Sequence, residues 1–254
     1  ELQKSNILLI GPTGSGKSTL IQHLNGLIHP TEGRVLVDGV DLAGKGKEVM
    51  AKRHSVGMVF QYPEQQLFEE TVAQDIAFGP KNLGCSEETV KERVKEAMDF
   101  VGLDYDTYAG RSPFRLSGGQ MRRVAIAGVI AMKPDFLILD EPSAGLDPVG
   151  RREVMDTVHE LNRSEGISVV LITHFMEEAV TADRVLVVHK SRLVMDGTPR
   201  EVFSRPDELK KIGLDVPVPA DLAHLLHQKG MKLREDCMTD EELGDALWPY
   251  ASKI

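Results

Sequence analysis

Gly11-Pro12-Thr13-Gly14-Ser15-Gly16-Lys17-Ser18-Thr19 is the stretch that decides how the rest of the chain is read. It fits G-x-x-x-x-G-K-[ST], and its flanks fit as well. The apolar run Ile7-Leu8-Leu9-Ile10 leads in like a buried strand. Thr19 to Gly26 leads out like a helix, with Leu20, Ile21 and Leu24 on its inner face. A glycine-rich turn between a strand and a helix N-terminus is an anion cradle. The glycines let backbone N–H groups converge on phosphate, and the helix dipole adds partial positive charge. Lys17 is placed to reach β- and γ-phosphates, and the Ser18 hydroxyl to take Mg²⁺. The stretch predicts a nucleoside triphosphate site.

Composition bounds what surrounds that site. The chain has 254 residues, 41% apolar and 27% charged, values of an ordinary globular protein with ample core. Its formal net charge of −9 argues against nucleic acid as partner. No apolar run approaches the roughly 20 residues needed to cross a bilayer, and no signal peptide is read. Cys85 and Cys237 lie far apart without ligand-like neighbours, which predicts free thiols in a reducing compartment and no metal site of their own.

Strand and helix signals alternate over residues 1–60. Arg34 to Val37 with the Asp38-Gly39 turn reads as a short hairpin. Val56 to Phe60 reads as a strand ending at Gln61. Between Leu67 and Ala131 the pattern turns helical. Val90, Val94, Ala97, Met98 and Val101 share one helix face, with Ser86 to cap and Gly102 to stop it. Sheet texture returns at Phe136–Leu139, Ile167–Ile172 and Val185–Val188, continuous apolar runs expected of strands buried on both faces of a parallel sheet. Asp147-Pro148 opens a helix between two of them. From about Ser204 the chain reads as a helical tail broken up by Pro206, Pro217 and Pro219. Leu222, Leu225 and Leu226 line one of its helices. Leu243 and Leu247 line another, which carries a Thr239–Glu242 capping box.

Two further stretches carry chemistry. Phe136-Leu137-Ile138-Leu139-Asp140-Glu141 is an apolar strand ending in two carboxylates. Such a strand is expected beside the one leading into the phosphate loop, where Asp140 holds Mg²⁺ and Glu141 polarises an attacking water. In Leu116-Ser117-Gly118-Gly119-Gln120, Ser117 and Gln120 form a capping box for the helix that follows. The two glycines behind the cap cost helix propensity. They make sense where backbone must approach phosphate closely.

Together these elements resemble the ATPase subunit of ABC transporters. The phosphate loop, Gln61, the LSGGQ stretch, Asp140-Glu141, Ser143-Ala144-Gly145-Leu146-Asp147 and His174 occur in that family's order, and the resemblance spans about Gly11 to Phe203. By itself His174 would read as an ordinary strand-end residue. The resemblance makes it the γ-phosphate switch histidine, and makes Gln61 a sensor of Mg²⁺ and nucleotide. Phe60-Gln61-Tyr62-Pro63-Glu64-Gln65-Gln66-Leu67-Phe68 and Ser117 to Gly128 are similar to the energy-coupling-factor ATPases of prokaryotic vitamin and metal-ion uptake. There two ATPases, identical or paralogous, work under a transmembrane coupling subunit and a substrate-binding membrane subunit. The stretch after Ser204 is similar to that group's C-terminal extension. Arg122-Arg123 reads as a solvated or salt-bridged helix face rather than an anion site. The departure is at the beginning: ten residues precede Gly11, none aromatic, where the family has a strand layer whose aromatic stacks on adenine. Glu1 to Ile10 looks more like the lead-in of an AAA+ unfoldase. Lost stacking of about 1–3 kcal/mol, roughly five- to 150-fold, implies weak, poorly selective ATP binding.

The expected architecture is an α/β P-loop NTPase (RecA-like) core over 1–203, with a helical subdomain at about 67–131, and a helical extension over 204–254. The resemblance implies ATP and Mg²⁺. Nucleotide would be bound by Gly11, Pro12, Thr13, Gly14, Ser15, Gly16, Lys17, Ser18 and Thr19 of one chain and by Ser117, Gly118, Gly119 and Gln120 of another. Metal contacts fall to Ser18, Gln61 and Asp140, and hydrolysis to Glu141, His174, Lys17 and Gln61. The location is the cytoplasmic face of the membrane, as a peripheral subunit powering uptake of a vitamin or transition-metal ion. The alternatives are an ABC ATPase without transport duty and an inactive ATP-binding module.

Overall fold

The computed structural model describes residues 5–251 apart from 165 and 235. The lead-in over residues 1–4 and the last three residues of the expected extension lie outside the described residues. The fold is α/β and divides into two compact units. One comprises Ser18–Ile172, the other Ser5–Lys17 with the chain from Thr173 onward.

In the first unit, strands β4 (Val56–Val59), β5 (Phe136–Asp140) and β6 (Ser168–Ile172) run parallel, in that order. Leu137 is paired with Gly57 on one side and with Val169 on the other. All of β4 and β6, and Leu137 to Asp140 of β5, are buried. Burial on both faces is why these strands read as unbroken apolar runs. Both edges of β5 are taken by β4 and β6, so the expected pairing with the strand before the phosphate loop does not occur. The hairpin is present as β2 (Leu36–Val37) and β3 (Val40–Asp41), with Asp38 and Gly39 at φ 48° and 82° as a two-residue primed turn requires.

Helix α1 (Lys17–Leu24) buries Ile21 completely, whereas Leu20 is exposed and Leu24 half-buried. Adjacent helix positions point about 100° apart, so a two-turn helix cannot turn all three inward. Helix α2 (Lys47–His54) follows the hairpin. The expected helical stretch is α3 (Val72–Asn82), α4 (Glu87–Phe100), α5 (Tyr105–Tyr108) and α6 (Gly118–Ile130). Val90, Val94, Ala97, Met98 and Val101 are all buried. Ser86 Oγ accepts from the Thr89 N–H at 3.2 Å, and Gly102 stops α4 at φ 68°. Asp147 Oδ1 accepts from the Gly150 N–H at 2.7 Å and opens α7 (Pro148–Ser164).

In the second unit β1 (Asn6–Ile10) runs parallel to β7 (Arg184–His189), and β7 pairs antiparallel with β8 (Arg192–Gly197). Its described residues add the helices α8 (Met176–Ala179), α9 (Pro199–Phe203), α10 (Pro206–Lys211), α11 (Val218–Gln228) and α12 (Asp240–Ala251). The prolines start helices here rather than breaking the chain up. Pro199, Pro206 and Pro219 stand in first turns, where no N–H is needed. Ala223 and Leu226 of α11 pack with Leu233, Cys237, Leu243 and Leu247, while Leu222 and Leu225 stay exposed. Half of the capping box forms. Thr239 Oγ1 accepts from the Glu242 N–H at 3.2 Å, but the Glu242 carboxylate accepts from the Met238 N–H at 2.7 Å and pairs with Arg200 of α9. That guanidinium holds the Glu242 carboxyl below the usual carboxylate range. Both thiols are free. Cys85 is half-buried, and burial pushes the enclosed Cys237 thiol up. No described helix is long and apolar enough to cross a membrane.

A Cβ on Gly57 of β4 would lie 2.6 Å from Val129 Cγ1 and 3.2 Å from Pro134 Cγ, so α6 packs against bare backbone there. Gly57→Ala is expected to lower stability by about 1–3 kcal/mol in urea unfolding. Gly110→Ala, where a Cβ meets nothing within 4 Å, is expected to leave stability unchanged or raise it by about 0.4–1 kcal/mol.

Candidate active site

The phosphate loop in the second unit is shaped by its own backbone. Gly14 and Gly16 adopt φ 76° and 99°, which only glycine takes without strain. Gly11 is fixed for another reason: a Cβ there would stand 2.2 Å from the Val188 carbonyl oxygen and 2.6 Å from Ser15 Oγ. The Ser15 N–H donates to the Pro12 carbonyl at 3.1 Å, and the Ser191 N–H donates to the Ser15 carbonyl at 2.9 Å. The loop is thus closed on itself and tied to the turn between β7 and β8. Lys17 is 7% exposed, and its Nζ donates to the carbonyls of Gly11 at 2.6 Å and Pro12 at 3.2 Å.

Three features of this loop suit a polyphosphate. An ammonium is held inside it. The buried Ser15 Oγ has no hydrogen-bond partner among the described residues. The first turn of α1 has no acidic residue to offset its dipole. Thr13, Gly14, Ser18 and Thr19 are exposed, as contact with a ligand requires.

The first unit carries the carboxylates. Asp140 ends β5, 9% exposed. Glu141 follows in the left-handed region at φ 49°, its N–H on the Ile172 carbonyl at 2.9 Å and its own carbonyl accepting from the Ala144 N–H at 3.1 Å. Gln61, just past β4, donates from Nε2 to Glu141 Oε2 at 3.0 Å. The adjacent registers of β4 and β5 bring these two residues together. His174 belongs to the second unit, exposed, between Thr173 and α8.

Ser117 and Gln120 form the expected reciprocal capping box at the start of α6. The glycines between them have no local cause. Neither has a positive φ, and a Cβ would come no nearer than 4.0 Å at Gly118 and 3.7 Å at Gly119. Their effect is to leave the helix N-terminus bare.

Two features went beyond the sequence. Arg122 takes the salt-bridged form of the expected helix face, and takes it buried: it is 2% exposed and ion-paired to Glu64 at 2.8 Å. Phe68 and Phe78, both exposed, stack edge to face with centroids 4.9 Å apart, beside a cleft lined by Asp75, Val124 and Met132. Burial lifts the Asp75 carboxyl above the usual range, against the N–H groups of Glu69 and Phe68 that it accepts. One of these aromatics stands before α3 and the other on it, so they give no periodic signal.

The family model for the ABC transporter matches residues 2–144. The chain belongs to the ABC transporter family. The energy-coupling factor transporter ATP-binding protein EcfA2 of Clostridium tetani is 52% identical over 237 residues, covering 93% of this chain and 82% of that relative. The protein of the same name from Symbiobacterium thermophilum is 55% identical over 240 residues, covering 94% and 83%. Among solved structures, cbiO1 from Clostridium perfringens, described as part of the ABC transporter complex cbiONQ, matches with a TM-score of 0.74 and 36% identity over 90% of this chain and 88% of its own. A dimeric ATP-binding cassette in a post-hydrolysis state, bound to ADP and Pi, matches at 0.68 and 28% identity, covering 78% and 87%. Within the family the chain is an ATP-hydrolysing subunit of the energy-coupling factor type.

Relieving the 2.2 Å contact that a side chain on Gly11 would make requires the loop to shift. Overpacking of this kind costs about 1–3 kcal/mol. Gly11→Ala is therefore expected to weaken MgATP binding about five- to 150-fold in calorimetric titration.

Proposed function

We propose that this ABC ATPase binds MgATP between the phosphate loop of one copy and Ser117-Gly118-Gly119-Gln120 of a second ATPase subunit, identical or paralogous. The observation that carries this reading is the bare N-terminus of α6. Among the described residues neither crowding nor a positive φ calls for its glycines, so we assign their use to a ligand presented from outside. Backbone N–H groups there, with the helix dipole, suit a terminal phosphate.

Gly11 to Thr19 hold the triphosphate, and Lys17 exchanges two loop carbonyls for β- and γ-phosphate oxygens. The Ser18 hydroxyl, the Gln61 amide and Asp140 would hold Mg²⁺, an oxygen set that suits this hard cation. When bound, Mg²⁺ neutralises phosphate charge. Glu141 takes the proton of the attacking water. Gln61 holds the Glu141 carboxylate through its hydrogen bond to Oε2. His174 contacts the γ-phosphate.

Residues 1–203 form the ATPase and 204–254 the extension that meets the other ATPase. The helical subdomain at 67–131 grips the membrane subunits, and the exposed Phe68–Phe78 pair beside its cleft supports that role. We assign the chain to the cytoplasmic face of the membrane, peripheral to a transmembrane coupling subunit and a substrate-binding subunit. Its cargo is a vitamin or transition-metal ion, and nucleic acid is not a partner at a net charge of −9.

Glu141→Gln is expected to retain MgATP and hold the dimer closed while turnover falls about 10²–10⁴-fold. Near-normal phosphate release would remove Glu141 from the role of base. Mixing Lys17→Ala chains with Ser117→Arg chains is expected to restore one working site per mixed dimer. Mixed dimers as inactive as either parent would exclude the shared site.

A further inference from the structure

We propose that Arg122 is a positioning residue for hydrolysis, acting through Gln61 and Glu141; this rests on the reading of Glu141 as general base. Its guanidinium, 2% exposed, joins three segments. Nε and Nη2 donate to Oε2 and Oε1 of Glu64 at 3.0 and 2.8 Å, a forked pair. Nη1 donates to the carbonyls of Pro142 at 2.8 Å and Ala144 at 2.6 Å.

These acceptors lie in the segments that present the hydrolytic pair. Glu64 belongs to the short turn Pro63–Gln66 that follows Gln61. Pro142 directly follows Glu141, and the N–H of Ala144 closes the turn onto the Glu141 carbonyl. Arg122 therefore grips the turn that keeps Glu141 at φ 49°, a conformation unfavourable for a residue with a Cβ. Tyr62, beside Gln61, is also left-handed at φ 55°. The Arg122 Cζ lies 5.9 Å from the centre of its ring, whose edge a Cβ on Gly145 would approach to 3.5 Å. Left-handed residues thus stand at both ends of the Gln61–Glu141 hydrogen bond, and one side chain touches the segments of both.

A buried guanidinium cannot abandon its carboxylate without a large desolvation penalty, so the arrangement has little slack. Arg122 also stands on α6, two residues after Gln120. Lysine cannot replace it, since one ammonium lacks the forked geometry that serves a carboxylate and two carbonyls at once.

The test uses the full chain co-purified with its membrane partners, with MgATP as probe. Two forms are compared with wild type: Arg122→Lys, and the double variant Arg122→Met with Glu64→Met, which leaves no lone buried charge. Both are expected to lose about 10- to 100-fold in kcat. KM for ATP is expected to stay within about twofold. Amide exchange at Ser143 to Leu146 is expected to accelerate while the unfolding midpoint of the double variant holds. In a Gln61→Ala background the Arg122→Lys loss is expected to shrink, because both act on one carboxylate. Normal kcat in the folded double variant, or losses that multiply fully with Gln61→Ala, would overturn the positioning role. If Glu141→Gln is inactive while the Arg122 variants turn over normally, this inference alone fails. Normal turnover by Glu141→Gln would overturn the reading of Glu141 and the inference together.

Discussion

A parallel strand covered on both faces can carry polar groups only where it ends. That constraint arranges the chemistry of this molecule. Every residue of β1, β4 and β6 is buried, and β5 is buried from Leu137 onward. Each gives way to polar residues at its carboxyl end: the phosphate loop after β1, Gln61 after β4, Asp140 and Glu141 at the end of β5, His174 shortly after β6. An ionisable group placed earlier would stand unpaired in a dry interior, at a cost of several kcal/mol. The sites are therefore loops held rigid by strands, which is how the phosphate loop keeps an ammonium 7% exposed against its own carbonyls.

The glycines separate what the chain needs for itself from what it offers to others. Gly14 and Gly16 answer to backbone angle, and Gly11 answers to the oxygen behind it. Gly118 and Gly119 answer to neither. Helix propensity is sacrificed there with no return inside the chain, the kind of local inconsistency that marks functional segments.

How far the sequence could be read follows from the range of each interaction. Caps, turns and stops depend on neighbours within four residues, so Ser86, Gly102, Asp147 and the Ser117–Gln120 box were legible. So were the parallel strands, since two-faced burial writes itself as an unbroken apolar run. What was not legible concerns partners distant along the chain. The salt bridge read for the Arg122-Arg123 face left its partner open, and Arg122 meets Glu64, 58 residues away. Glu242 was assigned to its own helix cap, but Arg200 outbids the local N–H. Leu222 and Leu225 share a helical stripe with Leu226, yet only Leu226 meets α12, because that side is closed by Ala223 and the chain around Cys237. The adjacency expected for β5 failed similarly: strand order is a property of crossovers, which periodicity does not record.

The two thiols differ in a way that has practical weight. Cys237 is fully enclosed, and burial keeps its sulfur in the protonated form, which does not react as a nucleophile. Cys85 sits half-buried just past α3. A maleimide fluorophore or spin label applied to the unaltered protein therefore has one practical point of attachment. That point lies in the helical stretch assigned to the membrane partners, so the chain carries its own handle for watching that region move.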